Sequence, residues 1–388
     1  MAREIAVGVI INMTMGIIYI WGVFLLPLEK FLAVPRSQLS IIPSIALVCF
    51  TVGMVIHDHV IHRLGYLRAS LVAFGLAGAG HLVFAAWWSY WALMVGYGVL
   101  FGLGAGIGYG LALTLASIVP DVKRALAIGL VMAAFAFGGV VLPFCLSSIV
   151  DSSAPTFGFA LIGVAILIVG VFAAWLLTRI DPPAVGAHAG QDNGESQRVK
   201  LLDVQFIILA LIFFAMCFVG LMTVSQVTGI LSSNALSPHV VKLGPSFFTL
   251  GYLIGSVFGG KLVEVLSGWR ALVLANLVAG GGLLLLGLPS AQAAMLGAVS
   301  VGMTFGSSAS LMPTLIGESY GARRIGAVYG KLMVSYGIAG LLAPWLGGAI
   351  YVAYGSYGPA IAISVVMCVV AVGLGLALGK KRADALAT

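Results

Sequence analysis

Apolar runs of about 20 residues follow one another along the whole chain, and this repetition constrains the fold more than any other feature. A helix rises about 1.5 Å per residue, so each run is long enough to cross roughly 30 Å of hydrocarbon. The spacing predicts helices near 5–30, 38–57, 68–88, 90–118, 125–150 and 157–179. A second set is expected near 204–231, 241–265, 269–288, 290–316, 324–351 and 357–379. Lipid offers no partners for backbone N–H and C=O groups, which is why the runs must be helices. Composition agrees with lipid as the solvent: 61% of residues are hydrophobic and 8% are charged, against about 25% charged in a soluble domain. The first run, from about Ile5 to Leu28, exceeds a signal-peptide core and reads as a membrane helix.

The one long polar stretch, 180–203, is rich in Pro, Gly and charge and reads as a flexible linker. It separates an N-terminal six-helix bundle, 1–179, from a C-terminal six-helix bundle, 204–388. The halves repeat each other at an offset of about 200 residues. Gly102 matches Gly302, Arg124 matches Arg324, Gly129 matches Gly330 and Pro143 matches Pro344. Asp121 and Glu318 precede the basic pair in each copy, and the loops at 62–68 and 264–270 correspond. Such duplication is common in secondary transporters, whose site lies near the midplane at the repeat interface. The expected fold is all-α and integral to the membrane, with twelve transmembrane helices in two pseudo-symmetric six-helix bundles.

Basic residues orient the chain. With the N-terminus inside, fifteen of the nineteen Lys and Arg fall on the cytoplasmic side. Lys30, Arg36 and Lys242 fall outside, and Lys331 lies within a helix. The expectation is a multi-pass protein of the cell inner membrane with both termini and the linker cytoplasmic. The formal charge of +7 then reflects loop bias and not a nucleic-acid partner. Cys49, Cys145, Cys217 and Cys368 all sit in apolar runs and read as small buried hydrophobes. His57, His59 and His62 cluster with Asp58, but Ile61 holds the place one turn after His57 where a second ligand would stand. No metal or cofactor is expected, and no nucleophile, base and orienter constellation suggests an enzyme.

The stretch GLGAGIGYG, 102–110, lacks the preceding strand that a nucleotide loop requires. Its glycines instead let helix backbones approach closely. Pro143 and Pro344 read as kinks in transmembrane helices. Acidic and basic residues at 120–130 and 317–330 can pair at helix ends and answer helix dipoles.

Helix 1 reads GIIYIWGVFLLPL, 16–28; helices 4 and 5 read GLGAGIGYG and PDVKRALAIGLVMAAFAFGG; helices 10 and 11 read GMTFGSSASLMP and GAVYGKLMVSYGIAGLLAPWLGG. In these motifs the chain resembles the major facilitator superfamily, and within it the oxalate/formate antiporter and monocarboxylate transporter branch. The resemblance implies two six-helix bundles around a central cavity and alternating access between them. It also implies a cytoplasmic latch formed by Arg63, Asp121, Arg124, Glu264, Arg270, Glu318 and Arg324. The chain departs from the family at the loop between helices 2 and 3, DHVIHRLG, 58–65, where His62 takes the acidic place and Asp58 the glycine place. It departs again where anion exchangers of the family carry cations: alignment puts Ser256 at the helix 8 arginine and Tyr336 at the helix 11 lysine. Lys331 lies five residues before Tyr336, about 140° round the helix, and can snorkel to the surface.

For the cavity lining, the resemblance points to Tyr19, Tyr109 and Phe135 in the first half and to Ser256, Phe305, Met333 and Tyr336 in the second. Tyr252, one turn from Ser256, joins them, and Asn12 and Gln226 are further polar candidates. A lining that is aromatic, hydroxyl-bearing and poor in charge suits a small neutral, weakly anionic or partly apolar solute. All twelve acidic residues fall in loops or at helix ends, where a mid-membrane proton carrier would not be. His81 could titrate near neutral pH, but on a peripheral helix it reads better as packing. The expected function is that of a monomeric secondary transporter for a small organic solute such as a monocarboxylate, an antiporter or facilitator. The alternatives are an exporter of small amphipathic compounds and a non-transporting receptor or assembly factor on the same fold.

Overall fold

The computed structural model describes residues 2–117, 127, 130–139, 155–179, 203–320 and 325–387. All regular structure among them is helical. The first crossing is α1 (Ala2–Met15), a 3-10 turn (Gly16–Ile20) and α2 (Trp21–Leu32). After α3 (Arg36–Leu39) comes α4 (Ile41–Trp87), a run of 47 residues. A straight helix of that length would measure about 70 Å, more than twice the hydrocarbon thickness. It is broken at Gly65, whose φ of 73° and ψ of 166° are non-helical, so 41–64 and 66–87 are separate crossings. The fourth crossing joins α5 (Tyr90–Leu93), a π-helical stretch (Met94–Phe101) and α6 (Gly102–Ser117). Then follow α7 (Leu130–Gly139), α8 (Pro155–Leu177), α9 (Val204–Ser233), α10 (Pro238–Leu266) and α11 (Gly268–Leu286). The last three are α12 (Ala291–Tyr320), α13 (Ile325–Tyr354) and α14 (Gly358–Ala387).

Ten helical stretches among the described residues are long and apolar enough to cross a membrane. The break at Gly65 divides one of these, Arg36–Trp87, in two. The crossing expected at 125–150 is represented by α7. Two helices outrun their expected ends by about two turns. The second crossing continues from 57 to 64 through His57, Asp58 and His59, and α14 continues from 379 through Lys380, Lys381 and Arg382. Charged side chains end the apolar pattern without ending the backbone ladder, and basic residues near a helix C-terminus favour its dipole.

The chain divides into two compact units, Met1–Gln197 and Arg198–Thr388. In the first, α4 packs on α6, the π stretch and α8, while α1 packs on α6 and α8. In the second, α10 and α11 pack on α12, α11 and α9 pack on α14, and α9 also packs on α12 and α13. The pairings of one unit thus recur in the other. Both units contain a seam where backbones touch. A Cβ at Gly106 would press on the Phe50 carbonyl and fall 2.9 Å from the Met54 nitrogen. At Gly306 it would press on the Tyr252 carbonyl and fall 2.8 Å from the Tyr252 Cα. Only glycine permits that approach, the packing expected of small residues between membrane helices.

A partly buried ion pair closes the α2–α3 turn: Arg36 donates to Glu29 at 2.7 Å, with the Arg36 side chain 9% and the Glu29 side chain 29% exposed. Glu29 is therefore engaged across the turn.

Candidate functional site

In the first unit, Tyr19, Tyr109 and Phe135 come together. Tyr19 sits on the 3-10 turn, with its ring edge-on to Phe135 at 5.3 Å between centroids. Tyr109, from α6, is edge-on to Phe135 at 5.1 Å. Phe50 completes the cluster, 5.4 Å from Tyr109 and 6.0 Å from Phe135. The Tyr109 hydroxyl donates to Met132 Sδ at 3.0 Å. Close approach of α1 to α7 positions the rings: Gly16 lies against the Phe135 carbonyl and Gly138 against the Met13 carbonyl. Asn12 secures the same seam by donating to the Val131 carbonyl at 2.8 Å.

In the second unit, Tyr252 and Phe305 meet at 5.3 Å, with Phe248 6.1 Å from Phe305. Ser256 is half-buried and donates to the Tyr252 carbonyl one turn earlier, at 2.7 Å. Gly220 on α9 lies against the Phe305 ring. Met333 is half-buried and Tyr336 buried, three residues apart on α13. Gln226 is fully buried; it donates to the Pro344 carbonyl at 3.0 Å and accepts from the Tyr357 hydroxyl at 2.9 Å. Its amide ties α9 to α13 and to the residue just before α14.

Phe50 and Met132 were not among the expected lining residues. The internal repeat carries the signal that would have found them. The offset that pairs Gly129 with Gly330 also pairs Met132 with Met333 and Phe135 with Tyr336. The offset of the 62–68 and 264–270 loops pairs Phe50 with Tyr252.

The remaining candidates stand apart from these clusters. Lys331 is exposed. His81 is fully buried, with Nδ1 2.9 Å from the Ala77 carbonyl and its ring among Tyr97, Phe101 and Phe159. That is the setting of a packing histidine. Of the latch residues, Asp121, Arg124, Arg324 and the Glu264 side chain lie outside the described residues. Arg63 and Arg270 are exposed. Glu318 reaches the α10–α11 turn, where a Cβ at Gly268 would stand 3.1 Å from its Oε2. Nearby, the Tyr320 hydroxyl donates to Asp203 at 2.9 Å, tying the end of α12 to the start of α9.

The Major Facilitator Superfamily profile matches residues 5–234 and 224–386, which together take in nearly the whole chain. The chain belongs to this superfamily. It is also 22% identical over 345 residues to the uncharacterized MFS-type transporter YhjX of Escherichia coli (strain K12), covering 86% of this chain and 84% of that protein. The all-α membrane architecture is the one the superfamily requires. Its members are transporters, and the activity class of this chain is transport.

Proposed function

We propose that this transporter carries a small organic solute, monocarboxylate-like or weakly anionic, across the cell inner membrane by alternating access, with both termini cytoplasmic. The observation that carries the reading is the cluster of Tyr19, Phe50, Tyr109 and Phe135, which joins aromatic surface to phenolic hydroxyls. Aromatic faces hold the apolar part of a solute, and hydroxyls offer it hydrogen bonds. A dianion would need buried cations to offset its desolvation. The two places where the resemblance would put them hold Ser256, bonded to the Tyr252 carbonyl, and Tyr336. With its acidic residues expected from the sequence in loops or at helix ends and His81 locked in packing, the chain is suited to exchange, facilitated diffusion, or symport in which the proton rides on the substrate.

Uptake of a labelled short-chain monocarboxylate into proteoliposomes, with and without a pH gradient, tests this. Saturable uptake that Tyr109→Phe weakens about 3–10-fold in KM is expected, the effect of one lost hydrogen bond. Competition by oxalate at equal concentration would sink the reading of the missing cations. A preference for bulky amphiphiles over small acids would favour export of amphipathic compounds instead.

A further inference from the structure

The last helix of the first unit carries a stripe that the transport site does not use. Val164, Ile168, Val171, Phe172 and Trp175 recur on one face of α8, and Ile168 and Val171 are 64% and 67% exposed. From 164 to 175 the stripe runs about 16 Å, the depth of one leaflet of hydrocarbon. Phe172 and Trp175 stack at 5.7 Å between centroids, making a flat end to it. One turn further, the Arg179 guanidinium lies over the Trp175 ring, 4.1 Å from its centroid. Arg3, from the start of α1, donates to the Arg179 carbonyl at 3.1 Å. Two arginines therefore meet where the apolar stripe stops, one through its guanidinium and the other through its backbone carbonyl. Among the described residues neither is in an ion pair. The neighbouring acid, Glu4, is half-buried and interacts electrostatically with Arg3, so a phosphate at Arg3 must compete with this carboxylate.

We propose that this surface binds an anionic phospholipid, with one acyl chain along 164–175 and its phosphodiester between Arg3 and Arg179. An apolar stripe of leaflet depth ending at a pair of cations matches a phospholipid and not a free phosphate, which would have no use for the stripe. Guanidinium groups are suited to bidentate contact with phosphate oxygens. The Trp175 ring holds Arg179 in place before the lipid arrives, which lowers the ordering cost of binding. A related pairing occurs in the second unit, where Arg270 lies 5.2 Å over the Trp269 ring and that ring packs on Gly379 near the end of α14.

Native mass spectrometry of the full-length protein, exchanged into micelles with equal phosphatidylglycerol and phosphatidylcholine of the same chains, tests the site. The wild type is expected to retain phosphatidylglycerol preferentially. Each guanidinium near a membrane surface contributes about fivefold, so R3Q/R179Q should lose roughly 25-fold of that preference. Trp175→Leu keeps both charges and removes the platform; a loss of about threefold is expected. Arg270→Gln reports on the second unit and should leave the remaining preference largely in place. Unchanged preference in R3Q/R179Q overturns the proposal, as does displacement of the lipid by millimolar inorganic phosphate. If R3Q/R179Q is not monodisperse, W175L decides: full wild-type preference there overturns the proposal, and the threefold loss supports it.

Discussion

Gln226 offers a sharp test of how the second unit is held together. Gln226→Leu keeps nearly the same volume where the side chain packs beside Gly347 and Met222. It removes the bond to the Pro344 carbonyl at 3.0 Å and withdraws the acceptor of the Tyr357 hydroxyl at 2.9 Å. Side-chain hydrogen bonds between membrane helices average about 0.6 kcal/mol each. A buried hydroxyl deprived of its acceptor costs about 1–3 kcal/mol. Pro344 remains within α13, so most of the cost falls on Tyr357, and the expected loss is about 2 kcal/mol. Steric trapping in mixed micelles reads that loss as a shift in the unfolding equilibrium of roughly 30-fold. Tyr357→Phe, made in the Gln226→Leu background, should recover about 1 kcal/mol of it by removing the hydroxyl that has lost its Gln226 acceptor. A Gln226→Leu protein within 0.5 kcal/mol of wild type, or strict additivity in the double variant, would refute the reasoning.

Gly65→Ala should cost about 1–3 kcal/mol, because φ 73° with ψ 166° is a region that side chains rarely enter; thermal unfolding in detergent measures it. Glu29→Gln removes the charge opposite buried Arg36 and should cost about 1–3 kcal/mol, with Arg36→Gln in the same chain restoring part of it. Gly306→Leu should force α10 from α12 and abolish transport together with folding, whereas Gly281→Leu, where a Cβ meets nothing within 4 Å, should express and transport normally. His81→Leu should leave the dependence of uptake on the pH gradient unchanged; a gradient effect abolished by it would assign the histidine a part in coupling.

The helices were legible because lipid imposes one length and one secondary structure on every crossing. Their ends were less so, since helices 2 and 12 pass through polar residues that a hydropathy pattern treats as a stop. Neither the 3-10 turn at Gly16–Ile20 nor the π stretch at Met94–Phe101 has a composition that marks it; each depends on how neighbouring helices pack. The resemblance carried by the motifs of helices 1, 4 and 5 pointed to Tyr19, Tyr109 and Phe135, whose rings the structure groups. Phe50 escaped because an aromatic on an apolar helix looks the same whether it faces a cluster or lipid. Asn12 and Gln226 were legible as polar candidates, but not the contacts of their amide nitrogens. Helical spacing gives a residue's angle but not the backbone carbonyl that will claim it, and these two meet Val131 and Pro344.

The glycine seams also bear on what can move. Helices separated by side chains slide by changing rotamers, each hop small and reversible. Between Gly106 and Phe50, and between Gly306 and Tyr252, main chain meets main chain, and there are no rotamers to exchange. Each seam behaves as a weld. The 3-10 turn that carries Tyr19 is held in the same way, because its first residue, Gly16, lies against the Phe135 carbonyl. The clustered rings are therefore fixed by main-chain contacts on both sides and move only with the helices that carry them.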